Sequence, residues 1–183
     1  MKIKKMLLLV IACVLVVGLA GCEEKKENKK ESEEVKTTAE KKEPKYQFKN
    51  NVVEMEDISI KITKVKIIKV GEKGNEYGKK PVIAFWYKTT NKTDKEIDPM
   101  MAWHAAFNAY QDNNPNVVNE LNIGALPDER FLDSQSEIIK KNGTVENAMA
   151  YELDDLKTPV TLKAHKGYDG DFLGEKEYKI KQK

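Results

Sequence analysis

Asp57-Ile58-Ser59-Ile60-Lys61-Ile62-Thr63 alternates apolar and polar residues without a break and sets three isoleucines on one face. That period of two is the mark of a strand with one buried side. The phase then slips. Val65 and Ile67 fall on one face, while Lys64 and Lys66 take the other. A one-residue slip turns every following side chain over. The spacing therefore predicts a bulge or strand break near Thr63-Lys64, the kind of break that lets one segment serve two sheets.

Further strands follow at short intervals. Pro81-Val82-Ile83-Ala84-Phe85-Trp86-Tyr87 is apolar on both faces and rich in β-formers, which reads as a central strand. Gly71 to Gly78 precedes it and lacks phosphate-cradling spacing, so a hairpin connection is expected there. Thr89 to Asp94 has turn composition. Val145, Asn147, Met149, Tyr151 and Leu153 alternate with Glu146, Ala148, Ala150 and Glu152; Val160, Leu162 and Ala164 make another strand, and Tyr178 and Ile180 mark the last. About seven short strands separated by turn residues predict an all-β, antiparallel two-sheet sandwich.

Two segments resist this pattern. In Met100 to Tyr110, MMAWHAAFNAY, Met100, Trp103, Phe107 and Tyr110 lie at helical spacing and Asp98-Pro99 is a helix start. Trp103, Ala105, Phe107 and Ala109 also alternate as a strand would. Residues 111–136 are long, Asn-rich and without a clear period, as functional or mobile loops often are.

The amino-terminal part has a different chemistry. Lys2, Lys4 and Lys5 are followed by the uncharged run Met6–Ala20. A basic start, an apolar middle and small residues at the end make a secretory signal. As a helix the run would reach about 22 Å at ~1.5 Å per residue, short of the ~30 Å hydrocarbon of a bilayer. Leu19-Ala20-Gly21-Cys22 resembles the lipobox of bacterial lipoproteins. The resemblance implies cleavage before Cys22 and a diacylglyceryl group on its sulfur, and Cys22 is the expected lipid-attachment residue. From Glu23 to Lys45 there are eight Glu and eight Lys with one apolar β-branched residue, Val35, and no aromatic. Like charges stand four apart at Glu23/Glu27, Lys25/Lys29, Lys26/Lys30 and Glu27/Glu31, which disfavours a helix. A disordered charged tether is expected, about 25 Å end to end as a coil. The expected organisation is a signal peptide over 1–21, the lipidated cysteine and tether over 22–45, and the sandwich over 46–183.

Composition excludes several classes of partner. The chain is +2 overall, and residues 46–183 hold 21 basic and 22 acidic side chains. No field strong enough for nucleic acid arises, and none is expected as a partner. Of the two cysteines, Cys13 leaves with the signal and Cys22 is acylated, so the domain has no disulfide and no cysteine metal site.

Thr89-Thr90-Asn91-Lys92-Thr93, Ala109-Tyr110-Gln111-Asp112, Gly143-Thr144 and Ala150-Tyr151-Glu152-Leu153-Asp154-Asp155, with Pro159-Val160 following, come in an order that resembles a domain of unknown function found in lipoproteins of Gram-positive bacteria. That domain is similar to the immunoglobulin-like sandwich of a mycobacterial secreted antigen. The resemblance covers most of Phe48 to Lys181. It implies an immunoglobulin-like fold and makes Trp103 to Tyr110 a strand. It supplies no catalytic residues.

Candidate sites are few. His104 and His165 are the only histidines, and neither stands beside a nucleophile or at metal spacing. Asp169, Gly170, Asp171 and Glu175 place carboxylates near one turn, as calcium would need, without the third early oxygen ligand. A turn is the plainer reading. Asp94, Glu96 and Asp98 would share one side of an extended segment, as a solvated edge that deters strand pairing. Asn91-Lys92-Thr93 matches a glycosylation sequon, which the bacterial lipobox discounts. Trp86, Tyr87, Trp103, Phe107 and Tyr110 are expected to fill the core, with any excess forming a binding patch. No cofactor is expected. The resulting expectation is a non-enzymatic lipoprotein on the outer face of a cell membrane, held through Cys22 and binding a protein or cell-wall ligand. The alternatives are a structural or immunity-type module that masks an envelope protein through the 111–136 loop, and a hydrolase with a cryptic site.

Overall fold

The computed structural model describes residues 45–180. The signal run, Cys22 and the charged tether to Pro44 lie outside the described residues.

Alternation becomes sheet as the sequence predicts. The strands are β1 (Gln47–Lys49), β2 (Val52–Glu54), β3 (Ile58–Ile68), β4 (Val82–Asn91), β5 (Phe107–Gln111), β6 (Thr144–Glu152), β7 (Val160–His165) and β8 (Phe172–Tyr178), with one helix, α1 (Pro99–Ala106). They form two antiparallel sheets, β1-β2-β3-β4-β6 and β5-β7-β8. The all-β sandwich is thus present, with eight strands rather than about seven. The short β1–β2 hairpin, whose turn places Asn50 and Asn51 at positive φ, raises the number.

The phase slip is a bulge between Ile62 and Lys64. Contrary to the two-sheet possibility, β3 stays with β4 throughout. Ile58, Ile60 and Ile62 before the bulge, and Val65 and Ile67 after it, all face the core between the sheets. Ile68 emerges on the opposite face. There it meets Val82, Ala84 and Ala150 in a second buried cluster flanked by Trp86. This explains why β4 is apolar on both sides.

The cover over that second cluster is the segment between β5 and β6. Gly124 lies against Val82 and Ala150, where an added Cβ would come within 3.2 Å of the valine. Trp86 Nε1 donates to Asp128 Oδ2 at 2.8 Å, and Arg130 grips the same carboxylate. Residues 124–131 therefore act as a strap across the outer face. Part of the long loop is packed cover, anchored by the buried side chains Leu121, Phe131 and Ile139.

The ambiguous segment resolves as both alternatives in succession. Residues 99–106 are helical because Asp98 caps Met101 N–H at 2.8 Å, Pro99 takes the first position, and Pro99, Ala102, Trp103 and Ala106 recur on one buried stripe. The strand implied from Trp103 onward begins only at Phe107. There the chain turns extended and pairs with Val160–Ala164 of β7.

Two devices close the sandwich sides. On one side β8 runs beside β1, where a Cβ on Gly174, at positive φ, would come within 3.0 Å of the Phe48 carbonyl oxygen. On the other, residues 119–124 cross from sheet to sheet. Glu120 bridges Tyr110 of β5, and Ile123 bridges Tyr151 of β6.

Candidate functional site

The core uses most of the aromatics, and so removes them from any binding role. Trp103 is fully buried, donates from Nε1 to Tyr151 Oη at 2.9 Å, and packs its ring 4.4 Å from Tyr87 and 4.5 Å from Phe107. Tyr87 donates to the Pro99 carbonyl at 3.0 Å, tying α1 to β4. Burial pushes both phenols, Tyr87 and Tyr151, well above the ordinary tyrosine range, so they stay neutral hydrogen-bonding groups. Trp86 sits on the other face under the strap, with the Lys64 ammonium 4.5 Å from its ring centre. Tyr110 alone of the five is on the outer face of the three-stranded sheet, half-buried.

Two exposed apolar side chains, Ile123 and Tyr168, stand instead beside the crossing segment. His104, Phe107, Asn108, Glu120, Leu121, Asn122, Ile123, Tyr151 and Tyr168 surround a depression of about 490 Å³. α1 contributes His104, β5 contributes Asn108, the crossing segment contributes Glu120 to Ile123, and the β7–β8 turn brings Tyr168 over the rim. Ile123 is 51% exposed and Tyr168 66%. Asn108 Nδ2 donates to Glu120 Oε1 at 2.7 Å and fixes that carboxylate. Burial lowers the His104 pKa, partly offset by Asp98, so its imidazole tends to the neutral form. No Ser, Thr or Cys lines this depression, and no hydrogen bond joins either histidine to such a residue among the described residues. His165 lies on β7, its ring 5.6 Å from Phe172.

A second depression of about 510 Å³ lies alongside, between residues 110–119 and the outer face of β7 and β8. Val117 and the strongly exposed Val118 form its lip; Tyr110, Lys163 and Glu175 form its floor. Lys163 leans over the Tyr110 ring at 5.0 Å. Gln111 holds this region together although its side chain is wholly buried. Its Nε2 donates to the Thr158 and Asp155 carbonyls at 2.8 and 3.2 Å, and its Oε1 accepts from Asp154 N–H at 2.8 Å and Asp155 N–H at 3.4 Å. Asp155 in turn accepts from Thr158 and Lys157 N–H, which pulls its carboxyl down to about 2. Asn119 reaches Asp154 at 2.8 Å. The 112–119 loop and the β6–β7 loop are thus one polar unit.

The acidic groups have local roles. Asp98 is the α1 cap, and Asp94 pairs with Lys141 at 2.6 Å. They belong to a connection between β4 and α1 rather than to the solvated strand edge expected of them. Asp169 and Asp171 flank Gly170 in the β7–β8 turn, while Glu175 stands on β8 opposite Lys163. Among the described residues, no three His, Cys, Asp or Glu side chains converge as a metal ion would require. Asn91 is buried, with Nδ2 donating to the Lys95 and Ile139 carbonyls at 2.8 Å, so the sequon offers no accessible amide. Asn75 likewise uses Nδ2 to brace the Gly71–Gly78 hairpin against Ile68 and Lys80.

Glu120, Ile123 and Tyr168 are the site residues that sequence reasoning missed. Tyr168 carried a signal, since an aromatic between Gly167 and Gly170 has no core to enter. Ile123 carried none, because its segment has no period.

The chain is similar to the solved structure of a candidate lipoprotein from Staphylococcus aureus subsp. aureus NCTC 8325, at 26% identity and a TM-score of 0.63, over 74% of this chain and 92% of that one. No curated protein matches it. A family model described as Domain of unknown function (DUF5067) matches residues 33–166, from the end of the charged run through β7, and the chain therefore belongs to the DUF5067 family.

Proposed function

We propose that this protein is a non-enzymatic binding module, tethered through acylated Cys22 to the outer face of a Gram-positive cell membrane. In this reading residues 1–21 are removed as a signal, residues 22–45 form the lipidated tether, and residues 46–183 present the sandwich to a protein or cell-wall ligand. The kinship to immunoglobulin-like secreted antigens suggested by the strand-end motifs belongs to the same reading. The observation that carries the binding role is the depression at the β5 edge, where exposed Ile123 and Tyr168 surround fixed polar groups. The lipobox and the staphylococcal neighbour support the anchor.

Two measurements test this. Mass spectrometry of the mature protein from membranes should find Cys22 as a diacylated amino-terminus, and Cys22→Ser should leave the leader attached. Pull-down from intact envelope with the wild-type chain should recover a discrete species that Ile123→Asp and Tyr168→Ala both lose. Equal recovery by the variants rejects the site.

A second reading, a module that masks an envelope protein, is favoured by exposed Val117 and Val118 on the 112–119 loop. Deletion of that loop tip should then abolish partner capture while the Ile123 variant retains it.

A further inference from the structure

The crossing segment has backbone groups to spare. The Asn122 carbonyl accepts from Glu152 N–H and the Gly124 N–H donates to the Ala150 carbonyl, both at 2.8 Å. In an antiparallel bridge of this kind the residue between them, Ile123, directs its own N–H and carbonyl away from β6. The same holds for Glu120. The Asn119 carbonyl and Leu121 N–H serve β5, so the Glu120 backbone groups point away from it. The two residues face opposite sides of the segment, and the free N–H and carbonyl of Ile123 can pair with an added extended segment.

The charge of the wall is equally specific. Among the nine residues around the depression, Glu120 is the one with a formal charge, since neutral His104 adds none. Its carboxylate is exposed and oriented by Asn108. Lys163, the register partner of Asn108, forms no ion pair with it; its ammonium lies over the Tyr110 ring. Tyr168 sets an exposed aromatic ring on the rim, a second group that favours a cation. Ile123 offers the apolar surface that the stem of a long basic side chain covers.

We infer that this depression takes an extended peptide segment of a partner protein, paired on the free edge at Ile123, with a lysine or arginine side chain directed to Glu120 and Tyr168. The inference rests on the binding role proposed above and names its ligand class.

A random hexapeptide array, probed with the full-length chain in detergent micelles, tests it. The selected peptides should be enriched in Lys and Arg. Glu120→Gln, which keeps an acceptor for Asn108, should remove that enrichment and weaken the best peptide about tenfold. Ile123→Pro should abolish binding, with an unchanged far-ultraviolet circular dichroism spectrum showing that the fold survives. Acidic or neutral selections, or basic selections indifferent to Glu120→Gln, overturn the inference. If envelope capture is still lost in Ile123→Asp and Tyr168→Ala under those outcomes, the binding site stands and only the ligand class falls. If capture is unchanged as well, both fall.

Discussion

Gln111→Met isolates the polar unit that joins the two loops. Methionine nearly preserves the volume of this fully buried side chain and removes all four of its hydrogen bonds. The two short bonds, to the Thr158 carbonyl and from Asp154 N–H, are well made at 2.8 Å; the other two are long. Leaving a buried backbone donor or acceptor unpaired costs about 1–3 kcal/mol. With two groups orphaned and the outer pair free to turn to water, the loss comes to about 3 kcal/mol. That is a large part of the ~5–15 kcal/mol typical of a domain. Urea denaturation followed by the fluorescence of buried Trp103 should show the unfolding free energy falling by that amount, as a lower midpoint at constant slope. Gln111→Ala should lose more, because a cavity is added. A loss below about 1 kcal/mol for Gln111→Met would refute the reasoning, since the loop would then be held by other contacts.

Three further outcomes follow from the geometry. Trp86→Phe removes the hydrogen bond to Asp128 and should lower stability by about 1 kcal/mol, below the ~1.5–3 kcal/mol of fully buried charged hydrogen bonds because Trp86 is half-buried; it should also speed tryptic cleavage after exposed Arg130, and an unchanged cleavage rate would show that the strap has another latch. Asp155 has a folded-state pKa of about 2, below the ~3.9 of an unfolded aspartate, so its stabilisation is complete above about pH 4 and is lost as pH falls toward 2. Asp155→Asn should therefore flatten the acid limb of stability between those values, and an identical limb would place the proton uptake elsewhere. Gly124→Val should destabilise the fold by about 1–3 kcal/mol through overpacking against Val82 and Ala150, measured by thermal melting, and a neutral result would mean the strap has room to lift.

The sandwich was legible where burial is one-sided and periodic. Ile58, Ile60 and Ile62 announced β3, and the switch to Val65 announced the bulge. The doubly apolar β4 pointed correctly to a central strand, without revealing that its outer side is covered by a strap from the same chain. The helix–strand junction at Ala106-Phe107 was partly legible. Asp98-Pro99 is a local start signal, whereas the stop comes from β7, which claims Phe107 onward by pairing. The β1–β2 hairpin could have been found from Asn50-Asn51, a pair suited to left-handed turns. Residues 112–143 were not legible, because Leu121, Phe131 and Ile139 anchor it singly, too far apart to set a period. The candidate site inherits that difficulty, as it is assembled where the crossing segment meets a turn from a distant hairpin.

The central claim is that the full-length protein engages a partner at the depression rimmed by Tyr168. A photo-crosslinking amino acid at position 168, in protein displayed on living cells, tests it most directly, with one at fully exposed Tyr77 as the control. The account predicts a discrete crosslinked species from position 168, absent from position 77 and abolished by Ile123→Asp. The same bands from both positions, or a band at 168 that survives Ile123→Asp, would contradict it.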